Sequence, residues 1–132
     1  MKHILILGAG VMQKPAINAA QELGCYVTVV DANPHAPYVD LADCFEPIDL
    51  KDIPALEKLM YNMKKKHKID AVFTAGTDFS YSVARLAKTY GLASHSPNAA
   101  LNASDKIRMR NVFIGKAPSP RFVEVSKNNF KT

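Results

Sequence analysis

The sequence predicts an open, doubly wound α/β domain: five parallel strands in the order 3-2-1-4-5, with helices on both faces in three layers. Three observations predict it. Short apolar, β-branched runs recur about every 20 to 25 residues and stop at glycine, aspartate or threonine. Between them, apolar residues fall at 3–4 spacing, the period of an amphipathic helix. Glycine-bearing loops follow the first and fourth runs, the two strands that flank the point where such a sheet reverses its order and seats its ligands. The 132 residues suffice for one such domain and little more.

Residues 3–7, His-Ile-Leu-Ile-Leu, form a buried strand that stops at Gly8. A helix follows over about 15–23, with Pro15 in its first turn, Ala16, Ala19, Ala20 and Leu23 as its packing stripe, and Gly24 past its end. Residues 26–30, Tyr-Val-Thr-Val-Val, are the second strand, ending at Asp31. Pro34 and Pro37 keep 31–37 irregular. A short turn over 38–43 leads to a third strand over 45–48.

The second helix runs over 53–66 with Ile53, Leu56, Leu59, Met60 and Met63 inward. Residues 70–74 make the fourth strand. Gly76-Thr77-Asp78 opens a third helix, which buries Phe79, Val83, Leu86, Ala87 and Tyr90 and ends at Gly91. A short fifth strand over 92–94 reaches Ser96-Pro97. Pro97 and Ser104-Asp105 start two further helices, the second running to about 114. Past Gly115 the pattern weakens: Ala117-Pro118-Ser119-Pro120 reads as a linker and 121–125 as an extended segment with nothing after it to pair with.

Composition excludes several classes. With 48% apolar and 22% charged residues, the chain is neither disordered nor a disulfide-stapled mini-domain. No apolar run approaches the roughly 20 residues that span a bilayer, and the opening apolar stretch, Ile4–Leu7, is too short for a secretory leader. Cys25 and Cys44 lack Cys or His neighbours at ligand spacing and read as reduced, buried residues of a cytoplasmic protein. No two of the four histidines stand at i, i+4, so no metal site is expected. The net charge of +5 lies wholly in residues 105–132, seven basic against two acidic, which argues against a nucleic-acid face spread over the domain. The run Lys64-Lys65-Lys66-His67-Lys68 complements the dipole at a helix end and stays solvated.

Two loops carry the candidate chemistry. Gly8-Ala9-Gly10-Val11-Met12-Gln13 joins the first strand to the first helix, where backbone amides and the helix dipole can face an anion. Asp31, 21 positions after Gly10, stands where a dinucleotide fold binds a ribose. Gln13 replaces the third glycine of that fingerprint and is expected to crowd the helix against the strand. The loop reads equally as an anion site or as a tight turn. Thr74-Ala75-Gly76-Thr77-Asp78 joins the fourth strand to the third helix, and Thr77 or Asp78 either caps that helix or touches a ligand. No nucleophile or general base can be assembled from the sequence.

From Ser96-Pro97-Asn98-Ala99-Ala100 and Ser104-Asp105-Lys106-Ile107-Arg108-Met109 onward, the chain resembles the end of the N-terminal domain of an ATP-grasp enzyme, of the carbamoyl-phosphate synthase large-chain and biotin carboxylase kind. Gly115-Lys116-Ala117-Pro118-Ser119-Pro120, Leu7-Gly8-Ala9-Gly10, Val29-Val30-Asp31 and Ala75-Gly76-Thr77-Asp78-Phe79-Ser80 are similar to further stretches of that family. The resemblance implies a Rossmann-like sheet over 1–115, with 116–132 a linker into an ATP-binding domain. It implies an enzyme that joins a carboxylate to an amine through an acyl-phosphate made from ATP and Mg2+. The small carboxylate substrate would lie against Gly8, Ala9, Gly10, Val11 and Met12, against Asp31, and against Gly76, Thr77 and Asp78. Lys106 would reach the nucleotide.

The 132 residues hold no glycine-rich lid and no magnesium-binding carboxylates of that family, so ligation by this chain alone is not expected. The ATP-grasp part is expected in cis or as a partner subunit, and a homodimer through the exposed tail is possible. Two alternatives stay open: a nicotinamide-binding domain of an oxidoreductase, and a non-catalytic ligand-binding or assembly module. Neither nucleic acid nor membrane is an expected partner.

Overall fold

A computed structural model describes residues 1–126. Its four strands, β1 (His3–Leu7), β2 (Tyr26–Val30), β3 (Cys44–Glu46) and β4 (Ala71–Phe73), form one parallel sheet in the order β3-β2-β1-β4. β1 and β2 pair over five residues, from His3 with Tyr26 to Leu7 with Val30. β4 lies on the other side of β1, with Ile4, Leu5 and Ile6 opposite Ala71, Val72 and Phe73. The central pair is almost wholly apolar because helices cover both of its faces.

The helices are α1 (Lys14–Glu22), α2 (Ile53–Lys66), α3 (Ser80–Tyr90), α4 (Pro97–Ser104) and α5 (Lys106–Phe113). Strand alternation sorts the core into two halves. Leu5, Leu7 and Val72 face α2 and α3, meeting Leu56, Met60, Val83 and Leu86. Ile6, Val27 and Val29 face α1, meeting Ile17 and Ala20. Asp52, Ser96 and Asp105 accept backbone N–H groups at the starts of α2, α4 and α5, and Gly91 ends α3 in the left-handed conformation.

Three expectations need correction. The fifth strand does not form among the described residues. The Leu92 N–H donates to Ala87 O at the end of α3, and its side chain packs into the core beside α2. His95 Nε2 lies 3.2 Å from Ser80 O at the start of α3, so the stretch runs back along that helix without joining the ladder. The third strand stops at Glu46 because Pro47 has no N–H to offer a neighbour. In α1 the buried side chains are Ile17 and Ala20, while Ala19 is exposed and Leu23 is 80% exposed.

Candidate functional site

At the carboxyl end of β1 the glycine loop folds back on its own protein. Gly8 has φ +103°, and its N–H donates to Val30 O at 2.7 Å. The Ala9 N–H donates to Asp31 Oδ2 at 2.9 Å and the Gly10 N–H to Gln13 Oε1 at 3.0 Å. Three successive amides thus point at protein acceptors. Asp31 also accepts the Asn33 N–H through Oδ1. A dinucleotide site needs these amides turned toward a pyrophosphate and this carboxylate toward a ribose. Here they hold the loop shut. Val11 and Met12 follow on an exposed turn, and among the described residues no hydrogen bond engages their amides.

The loop after β4 packs against the first. Thr74 Oγ1 donates to Leu7 O at 2.8 Å and pairs with Thr77 Oγ1 at 2.9 Å. Gly76 has φ +61°, and a Cβ there would fall 2.7 Å from Met12 Cβ. Gln13 joins the two loops: only 3% exposed, it donates through Nε2 to Ala75 O while Oε1 holds Gly10. Gln13 therefore does not crowd the turn, as its place in the fingerprint suggests. It fills the space that Gly8 leaves, since a Cβ on Gly8 would meet Gln13 Cδ at 2.9 Å.

The structure gathers Gly8, Ala9, Gly10, Val11, Met12, Asp31, Gly76 and Thr77 around one junction. Asp78 is exposed and lines a neighbouring hollow of about 400 Å³ with Lys51, Ile53 and Tyr81. Neither Thr77 nor Asp78 is the cap of α3: that residue is Phe79, and the Thr77 hydroxyl only accepts its N–H at 3.4 Å. Lys106 opens α5 on the exposed side, with no hydrogen bond or ion pair to either loop among the described residues. Sequence reasoning did not place Gln13 or Thr74 among the site residues. The signal for both was polarity inside an apolar strand-to-helix junction.

A hollow of about 800 Å³ lies at the opposite, amino-terminal end of the strands, beside Lys2, Ile4, Leu23, Cys25 and Asp70. It is larger, yet it lacks convergent polar groups apart from the Lys68–Asp70 ion pair at 3.1 Å. Sheets of this kind bind ligands at the other end. Cys25 and Cys44 are not bonded to each other and are only partly buried, whereas the sequence suggested buried residues. Among the described residues no three His, Cys, Asp or Glu side chains gather to hold a metal ion, and no helix is long and apolar enough to cross a membrane.

The family model of the ATP-grasp N-terminal domain matches residues 17–93. The chain belongs to that family. The matched stretch contains Asp31 and Gly76 to Asp78, and the glycine loop lies just ahead of it. Formate-dependent phosphoribosylglycinamide formyltransferase of Bacteroides thetaiotaomicron is 38% identical over 72 residues, 54% of this chain and 18% of that protein. The formyltransferase of Methanococcus maripaludis is 34% identical over 77 residues, 58% of this chain and 20% of that protein.

Among solved structures, phosphoribosylglycinamide synthetase from Anaerococcus prevotii superposes with a TM-score of 0.77 at 29% identity, over 86% of this chain and 28% of that one. L-amino acid ligase from Bacillus licheniformis gives 0.73 at 18% identity, over 87% of this chain and 30% of that one, a likeness of fold alone. This ATP-grasp N-terminal domain thus spans about a fifth of the length of the curated relatives it matches. None of these likenesses supports a nicotinamide-binding role.

Proposed function

We propose that this chain is the substrate-side domain of an ATP-dependent ligase joining a carboxylate to an amine, carbamoyl-phosphate synthase-like in reaction and inactive in ligation by itself. In this reading the remainder of the ligase, in cis or as a partner subunit, carries the ATP site, and the enzyme works in the cytoplasm. One observation carries the reading: in a domain of this family, the loops after β1 and β4 are fused into one junction at the carboxyl ends of the strands. The carboxylate lies across Val11, Met12 and Thr77, where the start of α1 favours negative charge. Gly8, Ala9, Gly10, Asp31 and Gly76 shape the wall behind it, Asp78 borders the adjoining hollow, and Lys106 approaches the nucleotide.

ATP with Mg2+ supplies phosphoryl transfer to the carboxylate in enzymes of this family. The described residues do not fit a metal site, so their part is to bind and orient. Labelled chain titrated with formate and with glycine, as plain carboxylate probes, should shift the amide signals of Val11, Met12 and Thr77. Shifts confined to other parts of the chain would refute the substrate site. In calorimetry, ATP should bind weakly or not at all, and NAD should not bind. A micromolar NAD affinity that disappears in Asp31→Ala would replace the ligase reading by a dehydrogenase one.

A further inference from the structure

We infer that Gln13 is the positioning residue of this site, a latch that fixes the gap between the glycine loop and the loop after β4. The junction asks two opposite things of one buried side chain. Gly10 presents an N–H, which needs an acceptor, and Ala75 presents a carbonyl, which needs a donor. A neutral carboxamide at the end of two methylenes supplies both at once. These partners also fix the orientation of the amide, since the reverse would set N–H against N–H and oxygen against oxygen. A charged group in its place would be desolvated at large cost.

Gly8 and Gly76 make the latch possible from either side. A Cβ on Gly8 would press on Gln13 Cδ, and a Cβ on Gly76 would press on Met12, the neighbour of Gln13. The third glycine of the dinucleotide fingerprint is therefore not a lost feature of this loop. Its place is taken by a side chain that ties together two segments 62 residues apart. Any ligand resting on both loops meets a gap set by this one amide. That consequence rests on the proposed substrate site, whereas the latch is a property of the protein without ligand.

The test separates the two halves of the latch. In Gln13→Glu the ionised carboxylate still accepts from Gly10 N–H but cannot donate to Ala75 O. When protonated it can do both. The charged residues on the elements that meet at this junction are Asp31 at the end of β2, Lys14 in α1 and Asp78 in the second loop, and wild type carries the same three as its control at each pH. With labelled, ligand-free chain, the amide signals of Gly76 and Thr77, which follow Ala75 O, should move from their wild-type positions in Gln13→Glu at a pH where the new carboxyl group is ionised. The Gly10 N–H should stay protected from exchange.

On acidification, the Gly76 and Thr77 signals should return toward their wild-type positions as the new carboxyl group protonates. Gln13→Met, which bonds to neither loop, should open both at every pH. If both variants leave Gly76 and Thr77 unchanged, or if the Glu variant opens them without any pH dependence, the inference is wrong. It is equally wrong if both variants lose the dispersed spectrum of the whole chain, because Gln13 would then be needed for folding at large. Since no ligand is used, failure of the carboxylate titration leaves this result standing.

Discussion

His3 begins β1 almost completely buried, its ring edge-on to Tyr26 at 4.9 Å and its Nε2 2.8 Å from Thr28 Oγ1. Burial, reinforced by the nearby His67, holds its imidazole below the ordinary value of 6.5. The folded state therefore favours neutral His3. This stability is full above pH 6.5 and is lost as pH falls from there through the folded value. The neighbouring Asp70 is held below its ordinary 3.8, first by the His3 N–H at 2.9 Å and then by Lys68. Its contribution is present above 3.8 and lost on further acidification. Urea midpoints measured across this range should fall in two stages. His3→Gln should abolish the first stage relative to wild type and keep the second, and coincident wild-type and variant curves near pH 6 would refute the assignment.

At the scale of elements, two glycines with nearly equal φ separate backbone strain from contact. Gly24 (φ +70°) faces open space, so Gly24→Ala bears only the left-handed penalty of about 1–2 kcal/mol. Gly76 (φ +61°) meets Met12 at 2.7 Å as well, so Gly76→Ala adds overpacking and should cost about 2–4 kcal/mol in all. Equal losses in chemical denaturation would mean that the loops are not pressed together. In α1, Ile17→Ala should cost about 2–5 kcal/mol and Leu23→Ala less than about 0.5 kcal/mol, because Ile17 is fully buried and Leu23 faces solvent.

The same elements show what a sequence conveys. The β1 and β2 runs and the α2 stripe were legible because burial on a fixed period writes itself into residue type. The strand over 92–94 was misread because Leu92 is apolar for another reason: it closes the end of α3. The two loops were found because glycine and the strand-to-helix boundary mark them. Gln13 was misjudged because its partner Ala75 is distant in sequence, and a motif compares residues only with their neighbours.

On the scale of the whole molecule, every core residue among those described lies between His3 and Ala100, while the positive excess lies past Ser104. The apolar residues of the described tail stay exposed, Ile114 at 66%, Phe122 at 42%, Val123 at 80% and Val125 at 60%, while Arg110 of α5 donates to Ser119 Oγ at 3.2 Å. Phe130, which the sequence groups with them, lies outside the described residues. β4 meanwhile ends the sheet with no ladder partner on its outer side among the described residues, beside a half-exposed Phe73. An extended apolar segment and an open edge can pair between molecules. Like charge on the tails opposes this, and salt weakens that repulsion beyond a Debye length of about 10 Å at 0.1 M. Light scattering of the full chain should therefore give a mass that rises above 14.5 kDa with concentration, more so at high salt. A chain ending at Ile114 keeps every described core residue and should stay at the mass of one copy. Equal masses for the two at every concentration would show that the tail drives no association.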